Sequence, residues 1–368
     1  MQPKKVFYRL IVGLFIIQST ASVTFSQDVA DSLVQKKNKL FYFPIIFWTP
    51  QTRLMGGGSV GYTMYKSIGD STPSPSVISV YAVYTQRNQS DITLSYENHW
   101  NKDRWHFQTT GSYTEWFNLF YGIGNSTTDS TYEEYTPKTL AFRVKLSKTV
   151  RPHLQIGLVT EFDYSRVVKS EANGYFANLN IPGEKSGLSS GLGVSADYDS
   201  RDSKIYPARG KYQQYSLIPF HATLGSDYNF VRFVANVRQY FSPFESHVIA
   251  YQAYMSLIAY NPPYYKMSLF GSDGLMRGYY PARFRDRNMV AFQAEYRMPL
   301  FWRISAAGFG GYGDVAHDVK DFRLQELKYS VGFGIRFIID RRTKSCVRLD
   351  IAVGKNSAYP TIAIGEAF

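Results

Sequence analysis

The chain has 368 residues, 44% of them hydrophobic and 17% aromatic, and a formal net charge of +12. So apolar a chain is not a disordered one, and its length suits one large domain. Thirty tyrosines and 26 phenylalanines, without long capped helical patterns, favour strands.

At the N-terminus, Lys4, Lys5 and Arg9 precede the apolar run 10–17, and small residues follow up to Ser26. Residues 1–26 are therefore expected to be a secretory signal peptide, with cleavage placed after Ser26. The apolar run is too short to cross a bilayer of about 30 Å, and no other stretch approaches the ~18 apolar residues of a spanning helix. A basic chain also suits nucleic acid, but an exported one seldom meets it. The charge is assigned instead to membrane interfaces and a wet lumen. Cys346 is the only cysteine, so no intrachain disulfide forms, and it is read as a small hydrophobe. Residues 27–39 are expected to form a short periplasmic segment, too short for a folded domain, and residues 40–368 one β domain.

From Leu40 onward, segments of alternating polarity recur between turn signals. Val290, Phe292, Ala294, Tyr296 and Met298 alternate with Gln293, Glu295 and Arg297. Tyr329 to Phe337 and Val347 to Val353 alternate in the same way, as do Leu140 to Leu146 earlier in the chain. A soluble sandwich strand also has a period of two. Here, however, one face is crowded with charge strand after strand and the other has almost none, which suits lipid outside and water inside. The predicted fold is therefore all-β, a transmembrane antiparallel barrel of about sixteen strands. Their spans are 40–49, 53–66, 76–87, 90–101, 103–118, 137–149, 151–167, 187–200, 210–221, 227–242, 246–260, 288–299, 302–313, 327–339, 345–354 and 360–368. Short turns near 101, 150, 243 and 300 then fall on one side. Long loops at 119–136, 168–186, 261–287 and 314–326 fall on the other. Segments 67–75 and 201–209 are long for inner turns.

The loop 261–287 holds Gly271-Ser-Asp-Gly-Leu-Met-Arg-Gly-Tyr-Tyr280, then Phe284 and Asp286. Arg277, Gly278, Tyr279, Phe284 and Asp286 together resemble the sixth-loop signature of the BamA/TamA superfamily, the bacterial surface antigen family of outer-membrane assembly and translocation barrels. Asp197-Tyr-Asp-Ser-Arg-Asp202, Pro207-Ala-Arg-Gly210, Pro44 to Pro50, Arg348-Leu-Asp350 and Gly365 to Phe368 match the family in order. The resemblance covers nearly all of the mature chain and lacks the POTRA domains that larger members carry.

The resemblance implies that the long extracellular loop folds into the lumen and that Arg277 pairs with acids on the inner wall. A guanidinium is always charged and grips carboxylates bidentately. Glu295 faces inward on the next strand. The family's second acid would fall at Gly311, which leaves Asp314 and Asp350 as further candidates. The pair either braces the fold or takes part in gating. Phe368, with Ile362 and Ile364 in step, is assigned to the C-terminal sorting signal.

None of the histidines stands in a nucleophile-elbow setting or in a zinc spacing such as H-E-x-x-H. Neither glycine cluster opens a helix after a strand, so neither is a phosphate loop. No enzyme activity, cofactor or metal is expected. The resemblance implies assistance in inserting or moving proteins or lipids at the outer membrane. The partners would be membrane lipids, client outer-membrane proteins and accessory periplasmic or lipoprotein factors. The alternative is a passive channel or structural surface barrel.

Overall fold

The alternation read from the sequence becomes a wall of strands in the computed structural model, which describes residues 38–49, 52–65, 74–128, 132–171, 174, 176 and 180–368. The signal peptide, and nearly all of the short segment after it, lie outside these residues. The wall is built from β1 (Lys39–Thr49), β2 (Arg53–Met64), β3 (Ser76–Thr85), β4 (Ser90–Trp100) and β5 (Trp105–Glu115). It continues through β7 (Glu133–Arg151), β8 (Leu154–Lys169), β9 (Ser186–Asp199), β10 (Gly210–Phe220), β11 (Phe230–Phe241) and β12 (Val248–Tyr260). It ends with β15 (Asn288–Phe301), β16 (Ile304–Ala316), β17 (Lys328–Asp340), β18 (Ser345–Gly354) and β19 (Ser357–Ile364). Three short strands that the alternation did not predict, β6 (Asn118–Phe120), β13 (Ser268–Phe270) and β14 (Phe284–Asp286), lie in the loops between wall strands.

Each wall strand pairs antiparallel with the next along the chain. Registers run from Lys39↔Thr63 at the first hairpin to Gly354↔Ser357 at the last, with local irregularities in β7, β15 and β17. This meander is a barrel wall of sixteen strands, as the alternation predicted. Successive connections lie on opposite rims. The long loops 116–132, 170–185, 261–287 and 317–327 share one, here the loop rim. Turns 101–104, 152–153, 302–303 and 341–344 share the other, the turn rim.

The two faces differ as lipid and water require. On β17, Tyr329, Val331, Phe333, Ile335 and Phe337 point outward and are exposed, while Lys328, Ser330 and Arg336 point inward and are buried. On β18, Leu349, Ile351 and Val353 point outward and Arg348 and Asp350 inward. An apolar belt that runs from strand to strand is far larger than a water-soluble surface tolerates. Exposed Phe301, Trp302 and Phe244 gather at the turn rim, as in the aromatic girdles of membrane barrels.

The long turn 200–209 is held by its own sequence. Arg201 donates from Nε and Nη2 to the two carboxylate oxygens of Asp199 at 2.9 and 2.8 Å. Asp202 Oδ1 accepts from the backbone N–H groups of Ala208 and Arg209. Gly210 adopts φ 98°, and a Cβ there would stand 2.2 Å from the Ser200 carbonyl oxygen, so only glycine fits. The Asp-x-Arg-Asp and Pro-x-Arg-Gly motifs are thus the two halves of one locked turn.

Placing a charge on the outer belt tests the wall. Phe333→Arg is expected to destabilise the barrel in bilayers by about 2–4 kcal/mol, measured by urea unfolding in lipid vesicles. A change under about 0.5 kcal/mol, usual for a solvated surface site, would contradict a lipid-facing β17.

Candidate functional site: a loop pinned inside the bore

The loop 261–287 enters the barrel because its tip is made of residues that the wall can bury. Phe270, Met276, Tyr279 and Phe284 form an apolar cluster with the wall residues Met289, Ala291 and Val315. Wall and loop make room for each other with glycines. A Cβ on Gly354 would lie 2.3 Å from the Tyr279 ring, and one on Gly278, which holds φ 97°, would press on Ala352 at 3.0 Å. The Tyr279 hydroxyl donates to the Tyr329 carbonyl and accepts from the Lys355 N–H, each at 2.7 Å, and Ser357 Oγ donates to the Gly278 carbonyl at 2.8 Å.

Arg277 sits at the centre, 1% exposed. Its Nη2 lies 2.6 Å from Glu295 Oε2 and its Nη1 lies 2.7 Å from Asp350 Oδ2. The guanidinium rests on the Phe309 ring at 3.4 Å, and Ser330 Oγ donates to the Arg277 carbonyl. Both carboxylates are shared with wall arginines. Arg336 reaches Asp350 Oδ1 at 2.8 Å, Glu295 Oε2 at 3.2 Å and Glu366 Oε2 at 3.2 Å. Arg348 Nη1 meets Asp350 Oδ2 at 2.5 Å, and Arg297 Nε meets Glu295 Oε1 at 2.7 Å. Arg348 Nη2 also donates to the Asp273 carbonyl in the loop at 2.7 Å. Burial pushes the Asp273 carboxyl above the usual range, against the opposing pull of Arg348. Four arginines thus interleave with Glu295, Asp350 and Glu366.

The loop has a second anchor, which the sequence did not reveal. Lys266, in the turn Tyr264–Lys266, pairs with Asp163 and lies 3.1 Å from Glu161 Oε2, both on β8. Arg143 of β7 and Arg232 of β11 bind the same Glu161 at 3.0 and 2.5 Å. One loop therefore bridges the bore, from β8 on one side to β15 and β18 on the other. Its returning limb is clipped to loop 116–132, where Arg283 Nη1 donates to Thr127 Oγ1 at 2.8 Å and the Gly124 N–H donates to the Arg285 carbonyl at 2.9 Å. Phe284 lies in the apolar cluster. Asp286 accepts from the Arg287 N–H and is 3.4 Å from His317 Nδ1.

Of the three acids considered for Arg277, Glu295 and Asp350 meet it. Asp314 does not. It is 0% exposed and binds Lys328 Nζ at 2.6 Å and Asn125 Nδ2 at 3.1 Å. Its parity is opposite to that of inward Phe309, and at the loop rim it turns to the loops instead of the hook.

The last strand also ends short of the expected 360–368. Ile364 points outward, but Gly365 takes φ 82° and ends β19 there. The last residues turn into the bore. Phe368, 4% exposed, packs on Tyr240 and Ala250, and its carbonyl oxygen accepts from Arg297 Nη2 at 2.8 Å.

These features define a class: an antiparallel membrane barrel plugged by its own loop through a buried arginine. A family model described as "Omp85 superfamily domain" matches residues 75–340, and the chain belongs to that superfamily. Among solved structures it is similar to BamA from Haemophilus ducreyi lacking POTRA domains 1-3, at 14% identity and a TM-score of 0.58. That alignment covers 89% of this chain and 69% of the BamA chain. CdiB from Escherichia coli gives 9% identity and a TM-score of 0.59 over 90% of this chain and 62% of its own. CdiB from Acinetobacter baumannii gives 10% and 0.53 over 88% and 57%. At such identities the likeness is one of fold. No curated protein matches. The resemblance to BamA-type barrels read from the loop motif is thereby established.

Removing one member of a buried ion network leaves its partners uncompensated. Arg277→Ala is expected to lower unfolding free energy by about 3–5 kcal/mol. Gly354→Val is expected to push out the Tyr279 ring and expose the loop to proteolysis. A loop as protease-resistant in Gly354→Val as in the parent chain would contradict the packing.

Proposed function

We propose that this chain works in the bacterial outer membrane as a barrel that assists the insertion or translocation of other proteins, or of lipids. Its bore is held shut by the Arg277 hook while it does so. Barrels of this superfamily reside in the outer membrane, and the belt and girdle described above suit that bilayer.

The observation that carries the reading is the reach of the charge network. Glu295 and Arg336 connect the loop hook to Glu366, two residues past the last wall strand. Plug and chain end are therefore one electrostatic unit, and disturbing either loosens the other. The first and last strands each carry a mid-strand proline, Pro44 in β1 and Pro360 in β19. A proline in mid-strand suits an edge, where its missing N–H costs no ladder bond. We place the working seam between these strands. In lipid an open edge leaves backbone groups unpaired at several kcal/mol each, so it offers a template for a client strand. Client outer-membrane proteins, membrane lipids and accessory periplasmic or lipoprotein factors are the proposed partners. Ile362, Ile364 and Phe368 are proposed to serve during the barrel's own assembly, before Phe368 folds inward. The work is mechanical, without a catalytic group.

Two measurements test this. A disulfide engineered between β1 and β19, in a Cys346→Ser background, is expected to abolish client insertion into vesicles; full activity in the locked form would contradict the seam. In planar bilayers the parent barrel is expected to stay largely closed and Arg277→Ala to conduct. A large steady pore in the parent, unchanged by Arg277→Ala, would favour the passive channel.

A further inference from the structure

The strand that opens the wall is apolar on both faces, unlike β17 and β18. Along β1, Leu40, Tyr42, Ile46 and Trp48 point outward and are exposed. Phe41, Phe43, Ile45 and Phe47 point into the bore, in ladder rows with Gly61, Ser59, Gly57 and Met55 of β2. The first of these rows runs on through Ser79, Ser95 and Thr110 to Arg143, which binds Glu161 in the lumen. The departure spreads to the neighbouring strands. β19, β1, β2 and β3 hold two charged residues between them, Lys39 and Arg53, each exposed at the first position of its strand. The flanking strands put charge straight into the bore, Arg348 and Asp350 on β18 and Asp91 and Glu97 on β4. The four strands without charge between their ends thus stand side by side around the seam.

Their inner face is an aromatic and aliphatic stripe. Toward the loop rim, Ile45, Met55 and Val83 are buried together, with Phe47, Tyr81 and Trp116 packed against them. Toward the turn rim, Gly61 leaves its place to the Phe41 ring, which a Cβ there would meet at 1.9 Å. Between them Phe43 is 40% exposed, so the middle of the stripe presents an open ring to the bore. Apolar surface left in water is unfavourable, and an apolar guest removes it. A client strand templated on the β1 edge does not do so, because barrel strands carry their polar residues inward. Those residues would meet aromatic rings that offer no hydrogen-bond partner. An acyl chain has no polar group to satisfy. Opening the seam joins the stripe to the lipid-facing belt of β1, with no charge that has to enter hydrocarbon.

We propose that the inner face of β19, β1, β2 and β3 binds an acyl chain of a phospholipid, laid over Phe41, Phe43 and Phe47. From Phe41 to Phe47 the stripe is about 20 Å long at ~3.4 Å per residue. That is enough for the chain of one leaflet, half of a hydrocarbon core of about 30 Å. Lys39 at the turn rim and Arg53 at the loop rim place a cation at each end of the stripe, where a lipid phosphate is received. Lipid is then a substrate of the seam proposed above. The entry route rests on that seam, and the stripe does not.

The test uses the full barrel in dodecyl maltoside micelles doped with a phosphatidylethanolamine that carries a diazirine on one acyl chain. After irradiation, adducts are mapped by mass spectrometry, and circular dichroism confirms folding. Adducts are expected on inward Phe43 and Phe47 as well as on the outward residues of β1, but not on inward Gln108 and Thr110 of β5. Excess unlabelled phosphatidylethanolamine is expected to suppress the inward adducts. Labelling at Phe47 is expected to fall about tenfold in Phe43→Glu, or in Phe43→Ser if the glutamate variant does not fold, and to persist in Phe43→Leu. Adducts confined to outward residues, spread equally to Gln108 and Thr110, or unchanged in the folded polar variant would overturn the proposal. So would inward labelling that an unfolded outer-membrane polypeptide suppresses and unlabelled phospholipid does not, which would assign the stripe to protein clients. With β1 and β19 locked by the engineered disulfide, inward labelling is expected to vanish. Its persistence there would uphold the stripe and overturn the seam as its entrance.

Discussion

Everything in the bore depends on the contact between the Arg277 guanidinium and the carboxylates of Glu295 and Asp350. Ordering a long loop costs on the order of 1–2 kcal/mol per residue, so it stays inside only if its buried charge is compensated. Arg277 is compensated by a hydrogen bond from Nη1 to Asp350, an ion-pair contact from Nη2 to Glu295 and the Phe309 face. The carboxylates in turn are shared with Arg297, Arg336 and Arg348. Buried ion pairs are weak evidence for stability as such. Here their effect is registry, since an arginine one residue away would face neither acid.

The plug and the wall also specify one another sterically. Gly354 and Gly278 lie where a methyl group would collide with Tyr279 and Ala352. Gly332 sits behind Phe309, the ring that carries the Arg277 guanidinium, and a Cβ there would approach that ring to 2.6 Å. Glycines weaken a strand, and Gly332 and Gly354 are accepted on the lumen side because the plug and Phe309 supply the contacts that their missing side chains would have made. The second anchor at Lys266 turns a tethered loop into a bridge across the bore, so the loop cannot swing about one point.

Much of this was legible in the alternation. A period of two tells which face each residue takes, and from that came the sixteen wall strands, the alternating rims and inward Glu295. The loop motif supplied Arg277. Parity does not tell which inward residues meet across the bore, and so Lys266 with Glu161, and Arg336 with Glu366, were not seen. Parity also fails wherever a strand ends. Asp314 turned to Lys328 at the loop rim, and the positive φ at Gly365 ended the last strand before Phe368 and sent that residue inward.

The central claim is that hook and wall are energetically coupled, and a double-mutant cycle measures that directly. Unfolding free energies of the parent, Arg277→Ala, Asp350→Asn and the double variant, taken in lipid vesicles, give the interaction term. The account predicts a coupling of about 1–3 kcal/mol. Additive losses, with a coupling within about 0.5 kcal/mol of zero, would contradict it.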